Sequence, residues 1–158
     1  MGEPCRDDRD TRAHLVIKLL KLGSVLSQPM TIGLCQPMGL TQAELKILMA
    51  LAGEGALAGC DLSKVLGIPA MTVSRRATPL KRRGWVEEQA LPSNRRRKLF
   101  ALTDAGREAH AQVMAHLHPI GLDLLCALDP TQIQALAASV DTISDGVVRW
   151  ARRSAADS

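Results

Sequence analysis

The sequence contains very few aromatic side chains. Its 158 residues include two tryptophans, one phenylalanine and no tyrosine. Proteins that bind single-stranded nucleic acid commonly stack the bases on a platform of aromatic rings. Such a platform is therefore not expected in this chain.

The sequence also lacks the short motifs of common enzyme classes. It has no Gly-x-Ser-x-Gly, no phosphate-binding P-loop, no His-Glu-x-x-His and no dinucleotide fingerprint. We therefore expect a protein that is not an enzyme, and no pattern indicates a cofactor.

Long apolar runs and paired cysteines are absent as well. No uninterrupted run of 18 apolar residues occurs, and the polar segment 1–8 does not resemble a secretory signal. Cys5, Cys35, Cys60 and Cys126 form no Cys-x-x-Cys motif, so free thiols are expected. These observations favour a cytoplasmic protein that does not cross a membrane.

Positive charge is concentrated in one segment of the chain. Residues 71–98 contain nine basic and two acidic side chains, a net charge of +7, whereas the whole chain has a net charge of +4. A basic cluster of this kind is typical of a surface that binds a polyanion.

The pattern of apolar residues predicts a helix over residues 11–30, which Gly33, Pro37 and Gly39 are expected to end. Its apolar stripe consists of Leu15, Leu19, Leu22 and Leu26. Thr41 and Glu44 have the spacing of a capping box and predict the start of a second helix.

A helix-turn-helix is predicted in the middle of the chain. A short helix over residues 61–66 stops at Gly67, and a second helix over residues 71–83 stops at Gly84. Residues 85–89 and 98–102 then have strand character and predict a β-hairpin. Its tip is expected at residues 94–98, with a loop longer than two residues.

Two further helices are predicted after the hairpin. The first begins near residue 104, and Pro119 is expected to kink or divide it. The second begins at Pro130, and its apolar residues repeat every seven positions, as in a coiled-coil seam. The seam consists of Ile133, Leu136, Val140, Ile143, Val147 and Trp150.

These elements predict a mostly α fold with a small β component, a winged helix-turn-helix flanked by N- and C-terminal dimerisation helices. The DNA-binding domain is expected at residues 40–102, and the helical dimerisation region at residues 11–34 and 104–152. The dimer contacts are assigned to Leu15, Leu19 and Leu22 and to the six seam residues. A homodimer would bind a pseudo-palindromic operator with two half-sites about one helical turn apart.

The predicted function is sequence-specific binding of double-stranded DNA. Arg75 and Arg76 are expected to contact base edges in the major groove, and Arg82 and Arg83 the phosphates. The complete set of predicted DNA contacts is Thr72, Ser74, Arg75, Arg76, Arg82, Arg83, Asn94, Arg95, Arg96 and Arg97.

The sequence resembles the MarR (multiple-antibiotic-resistance regulator) family over about residues 15–150. The matching residues are Leu40-Thr41-Gln42-Ala43-Glu44, Asp61-Leu62, Leu66-Gly67-Ile68, Met71-Thr72-Val73-Ser74-Arg75, Leu80-Lys81-Arg82-Arg83-Gly84-Trp85-Val86, Asn94-Arg95-Arg96-Arg97 and Leu102-Thr103-Asp104-Ala105-Gly106-Arg107. The resemblance implies a homodimer with intertwined terminal helices whose wings enter the minor groove. It also implies a repressor that a small-molecule effector releases from DNA, with Met30, Met49, His110 or Met114 near the effector.

The sequence departs from the family pattern at two positions. Asn94 stands where the wing commonly has an aspartate, two residues before Arg96. Asn94 can still orient the guanidinium by a hydrogen bond, but without charge assistance. Pro79 lies inside the second helix of the helix-turn-helix, and we expect the helix to bend there because the proline cannot bond to the Arg75 carbonyl.

Two alternatives to a ligand-responsive repressor remain at this point. A thiol-based redox sensor could act through Cys60 or Cys35, and an architectural protein could bind DNA without sequence preference. A metal sensor would need clustered ligands, but His116 and His118 point to nearly opposite sides of a helix, and His110 is too far along the axis from His118. No metal site is therefore predicted.

Overall fold

The computed structural model describes residues 6–91 and 94–156. The helices are α1 Arg6–Met30, α2 Gln42–Glu54, α3 Gly59–Leu66, α4 Ala70–Arg82, α5 Asp104–Leu124 and α6 Pro130–Ala156. The strands are β1 Leu57–Ala58, β2 Val86–Leu91 and β3 Asn94–Leu102. This architecture confirms the predicted mostly α class with a small sheet.

The three strands form one antiparallel sheet in the order β1-β3-β2. Leu57 of β1 lies opposite Phe100 of β3, and Val86 of β2 lies opposite Leu102 of β3. The β2–β3 hairpin follows directly on the pair α3–α4, which is the connectivity of a winged helix-turn-helix. The wing is thus attached to the end of α4.

The hydrophobic core lies between α2, α3, α4, α5 and the sheet. Its most deeply buried side chains are fully inaccessible to solvent and come from four helices. They are Ile47, Leu48, Leu62, Val73, Ala77, Leu80 and Val113. The spacing of Val73, Ala77 and Leu80 along α4 fixes which face of that helix turns inward and which remains in solvent.

Helix α1 ends at Met30, as predicted, but the expected break of the helical path at Gly33 does not occur. Helix α1 continues into a π-helical turn, Thr31–Cys35, in which the Gln36 amide donates to the Thr31 carbonyl at 2.9 Å. A Cβ on Gly33 would lie 2.5 Å from Cδ1 of Ile120 on α5. Glycine therefore permits close packing of this turn against α5 instead of breaking the helical path, which ends only before Pro37.

Pro79 and Pro119 do not end the helices in which they lie. Of the two outcomes expected at Pro119, division of α5 does not occur, since the helix continues to Leu124, and a kink stays a prediction. Helix α4 likewise extends three residues beyond Pro79 and ends at Arg82. The bend expected at Pro79 remains a prediction. Each proline only removes one backbone donor, and packing of the apolar face holds the rest of the helix together.

Helix α6 begins at Pro130, as predicted, after a cap at Asp129. The Asp129 carboxylate accepts from the amides of Thr131 and Gln132 at 2.8 and 2.9 Å, and the Gln132 side chain accepts from the Asp129 amide at 3.0 Å. These reciprocal bonds satisfy amides that lack a partner within the helix.

The apolar seam of α6 is uncovered in the single chain. The exposed fractions of its six residues range from 39% to 63%: Ile133, Leu136, Val140, Ile143, Val147 and Trp150. Leu15 and Leu22 of α1 are exposed by 50% and 52%, whereas Leu19 is partly buried. Apolar surface of this extent ordinarily lies at an interface. The assignment of residues 11–34 and 104–152 to dimerisation remains a prediction.

A tight junction joins the hairpin to α5. The Thr103 side chain caps α5 by accepting from the Gly106 amide at 3.0 Å and donates to the Gly84 carbonyl. The Thr103 amide donates to the Trp85 carbonyl at 3.1 Å. A Cβ on Gly106 would lie 2.0 Å from that carbonyl oxygen, so the junction requires glycine.

We expect Gly106→Ala to destabilise the protein by about 1–3 kcal/mol, since the clashing atoms belong to the backbone and cannot rotate away. Gly53→Ala is the matched control, because no atom lies within 4 Å of its added Cβ and α2 is helical there. Urea denaturation should show a lower midpoint for Gly106→Ala and an equal or higher midpoint for Gly53→Ala. Equal midpoints for both variants would contradict this account of the junction.

Candidate nucleic-acid interface

The turn between α3 and α4 is built from local hydrogen bonds. Gly67 ends α3 in the left-handed conformation with φ of 64°. The Ser63 hydroxyl donates to the Ile68 carbonyl at 2.6 Å, and the Pro69 carbonyl accepts from the Thr72 amide at 2.8 Å. These bonds fix the angle at which α4 leaves the turn.

Helix α4 presents a polar and basic face to solvent. Because Val73, Ala77 and Leu80 are buried, Ser74, Arg75 and Arg76 are exposed and Thr72 is half-buried. Among the side chains that the structure describes, none pairs with Arg75 or Arg76. A helix with exposed Thr, Ser and Arg side chains near its N-terminus has the groups that bind base edges in the major groove. We refer to α4 as the recognition helix.

Arg82 and Arg83 differ in their surroundings at the end of the recognition helix. Both are exposed, but the Arg83 guanidinium donates to the Met38 and Gly39 carbonyls at 2.9 and 2.5 Å. It also lies over the Trp85 ring, 4.9 Å from the ring centroid. Arg83 therefore ties the segment before α2 to the end of α4, a role that the sequence did not indicate. Its phosphate contact remains a prediction.

The wing differs from its predicted shape. Strand β2 ends at Leu91 and β3 begins at Asn94, so only two residues separate the strands and the expected longer loop is wrong. The register shifts between Ala90, which pairs with Lys98, and Leu91, which pairs with Asn94. Residues 95–97 thus belong to β3 and lie within this irregular register, with no partner in β2.

The side chains of Asn94, Arg95, Arg96 and Arg97 lie outside the part of the chain whose side chains are described. Their predicted contacts with DNA remain predictions. The backbone places all four at the start of β3, beside the irregular register.

An ion cluster connects the recognition helix to the wing. The Glu88 carboxylate of β2 pairs with Lys81 of α4 and, at 2.7 Å, with Lys98 of β3. Lys81 also lies 6.0 Å from the centroid of the Phe100 ring. The hydrogen bonds from both lysines lower the pKa of Glu88, so this carboxylate is ionised at neutral pH. Sequence reasoning missed the cluster because its members become neighbours only through the register of the hairpin.

An apolar cavity of about 620 Å³ lies between α1, α2, α3 and α5. Met30 and Met49 line it, as the resemblance implied, whereas His110 and Met114 are not among its lining residues. Lys46 is the charged residue of the lining, and Gln42 and Ser27 are polar. The Gln42 amide donates to the Ser27 carbonyl at 2.9 Å and to the Thr31 hydroxyl at 2.6 Å, which ties α2 to the π-helical turn.

The two candidate redox cysteines have opposite environments. Cys35 is buried, and burial together with the neighbouring Glu44 charge raises the pKa of its thiol. A raised pKa disfavours the reactive thiolate. Cys60 is exposed in the first turn of α3. Cys5 lies outside the described residues.

Two other findings concern metals and membranes. Among the described residues, no group of three or more His, Cys, Asp or Glu side chains is placed to hold a metal ion. Segment 9–35 contains an 18-residue window with mean hydropathy of 1.3, and by length and composition it could cross a membrane.

The helix-turn-helix, the recognition helix and the adjoining hairpin define a winged helix-turn-helix protein. Residues 38–97 match the model of the MarR family. The likeness to the MarR family thus extends from the segment before α2 to the start of β3, and does not include the terminal helices.

Solved structures share the fold across most of the chain. The transcriptional regulator BldR from Sulfolobus solfataricus superimposes with a TM-score of 0.76 at 17% identity, covering 85% of this chain and 94% of its own. A MarR-family regulator from Rhodococcus sp. RHA1 superimposes with a TM-score of 0.73 at 17% identity, covering 90% of this chain and 96% of its own. A MarR regulator from Methanosarcina mazei Go1 superimposes with a TM-score of 0.72 at 22% identity, covering 83% of this chain and 96% of its own. No curated protein matches the chain in sequence.

Proposed function

We propose that this protein binds duplex DNA as a homodimer and represses transcription from a promoter that contains a pseudo-palindromic operator. The observation that carries the proposal is the exposed face of the recognition helix, where Arg75 and Arg76 have no partner among the described side chains. An arginine of this kind can bind guanine O6 and N7 with two hydrogen bonds. The adjacent basic wing would bind the flanking minor groove or phosphates.

The exposed seam of α6 and the apolar surface of α1 support the proposed homodimer. A second copy would cover both, and two recognition helices related by a twofold axis would reach two half-sites about one helical turn apart. Covering segment 9–35 in this way also accounts for its high hydropathy without a membrane. We therefore assign the protein to the cytoplasm. In a test with lipid vesicles, the intact protein should remain in the supernatant after ultracentrifugation.

The proposal is tested by selecting binding sites from random duplexes with the full-length chain. We expect enrichment of a pseudo-palindromic sequence. An architectural protein would instead bind all duplexes with similar, strongly salt-dependent affinity and enrich no sequence. A selected site without twofold symmetry, bound by one chain, would contradict the dimeric assignment.

Release of DNA is assigned to the apolar cavity beside α2. The proposed effector is a small apolar acid, because the lining is almost entirely apolar and carries a single charged residue, Lys46. Its binding would change the packing of α1 and α5 against the DNA-binding domain.

We expect Lys46→Met to leave DNA binding unchanged and to weaken release by benzoic acid derivatives about 3- to 30-fold, the effect of losing one charge-assisted contact. The corresponding uncharged amides serve as the control, since their effect should not depend on Lys46. Fluorescence polarisation of labelled operator measures the affinity for DNA and the release of DNA by each compound. If Lys46→Met weakened release of operator by acids and by amides equally, Lys46 would not be the residue that recognises the acid group.

Thiol-based regulation is the second candidate, and the exposure of Cys60 favours it over the buried Cys35. If Cys60 is the sensor, peroxide should release operator from the wild type but not from Cys60→Ser. Identical behaviour of the two proteins would remove this candidate.

A further inference from the structure

We infer that Glu88 is a positioning residue that holds Lys81 and Lys98 between the recognition helix and the wing, and thereby limits sequence-independent binding of DNA. The inference rests on the proposed DNA-binding function. It concerns specificity and assigns a role to an acidic side chain within the most basic segment of the chain.

The register of the hairpin places the cluster where the apolar core ends. Val86 pairs with Leu102, Glu88 with Phe100 and Ala90 with Lys98, so these six residues share one face of the hairpin. Val86, Leu102 and Phe100 are buried, whereas Glu88 and Lys98 are exposed. The same face thus changes from apolar to charged along its length, and Lys81 reaches this charged end from α4.

The cluster also lies at the boundary of the irregular part of the wing. Lys98, which follows residues 95–97 in the chain, is the first residue of β3 after the register shift and pairs with Ala90. Its ion pair with Glu88 is diagonal across the two strands, and the pair of Lys81 with the same carboxylate joins both strands to α4. Glu88 therefore holds both ammonium groups at the junction of the recognition helix and the hairpin.

The consequence for DNA binding is electrostatic. Each lysine that neutralises a phosphate releases a counterion, and this contribution is independent of sequence. Two ammonium groups that share one carboxylate contribute less than two free ones. Loss of the Glu88 charge would free both side chains for phosphate contacts and would raise binding to every duplex, specific or not.

Glu88→Gln and Glu87→Gln form a matched pair of variants. Both remove one negative charge from neighbouring positions of β2. Glu87 lies on the opposite face of the hairpin, opposite Ala101, where it accepts from the Gln89 amide at 2.8 Å. General electrostatics therefore changes equally in both variants, and only Glu88→Gln frees Lys81 and Lys98.

The test measures binding to a random-sequence duplex and to the selected operator at several salt concentrations. For Glu88→Gln we expect random-duplex binding about three- to tenfold tighter at low salt, with a salt slope steeper by about 1 to 2. The ratio of operator to random affinity should fall. Glu87→Gln should change the slope by less than half as much. Circular dichroism verifies that both variants are folded.

A purely structural role for Glu88 predicts the opposite sign, since a displaced wing would weaken binding to both duplexes. A third variant, Lys98→Gln, isolates the contribution of one freed lysine. Alone it should change random-duplex affinity little, but in the Glu88→Gln background it should remove about half of the increase in that affinity. A double-mutant cycle measures this coupling.

The inference is overturned if Glu88→Gln weakens random-duplex binding, leaves it unchanged or matches Glu87→Gln. Wild-type protein that binds no duplex in a salt-dependent manner would overturn the proposed function together with the inference. Wild-type binding with indistinguishable Glu87→Gln and Glu88→Gln variants would overturn the inference alone.

Discussion

Replacing Arg75 with alanine is expected to lower affinity for the selected operator about 5- to 150-fold, which corresponds to about 1–3 kcal/mol for a bidentate contact with a base. Arg75 is exposed on the recognition helix, and no described side chain pairs with it. Its loss should therefore affect the complex with DNA far more than the stability of the fold. Fluorescence polarisation with labelled operator measures the change.

Lysine at the same position separates base contact from charge. Arg75→Lys keeps the charge but cannot form the paired hydrogen bonds of a guanidinium. We expect it to retain random-duplex binding and to lose most discrimination between operator and random DNA. Arg153→Ala, which removes an exposed charge from α6, should change neither. Full operator specificity in Arg75→Lys would show that Arg75 binds phosphate and not a base.

Placing a carboxylate in the seam of α6 is expected to have the second large effect. Val140 is 48% exposed in the single chain and lies in the middle of the six-residue seam. Val140→Asp would bury an unpaired charge in a dimer interface and remove apolar contact from both copies. We expect the dimer dissociation constant to rise about 100-fold or more, and operator affinity to fall with it. Sedimentation equilibrium and polarisation measure the two quantities.

Ala138→Asp provides the control for this variant. It introduces the same side chain two residues away, on the opposite side of α6, where Asp141 and Asp145 also lie. Ala138→Asp should remain dimeric. Circular dichroism of Val140→Asp should retain the helical signal of the DNA-binding domain, because no described core residue belongs to α6. A dimeric Val140→Asp protein would exclude this seam as the interface.

The helix-turn-helix could be predicted from sequence because local signals agree there. The positions of Val73, Ala77 and Leu80 give the buried face of α4, and Gly67 and Gly84 both adopt positive φ where the sequence predicted helix ends. Consistency between periodicity and capping makes such segments readable without tertiary information.

The errors arose where packing overrides local preference. Gly33 was expected to stop a helix, but its missing side chain makes room for Ile120. Pro119 was expected to kink or divide α5, and the helix continues past it undivided. In each case the local cost is a few kcal/mol at most, and contacts with distant residues decide the outcome.

The position of the wing could be predicted from the sequence, but its shape could not. Strand character and basic residues indicated a hairpin, whereas the register shift beside Ala90 depends on pairing between strands. The contacts of Arg83 with Met38 and Gly39 span more than 40 residues and follow no short-range pattern. The ion cluster of Glu88 was hidden for the same reason.

The most direct measurement of the central claim is the stoichiometry and footprint of the complex between the full-length chain and its selected duplex. We predict two chains per duplex by sedimentation, with protection of two half-sites about one helical turn apart. One chain on a single half-site, or uniform protection that follows no sequence, would contradict the account.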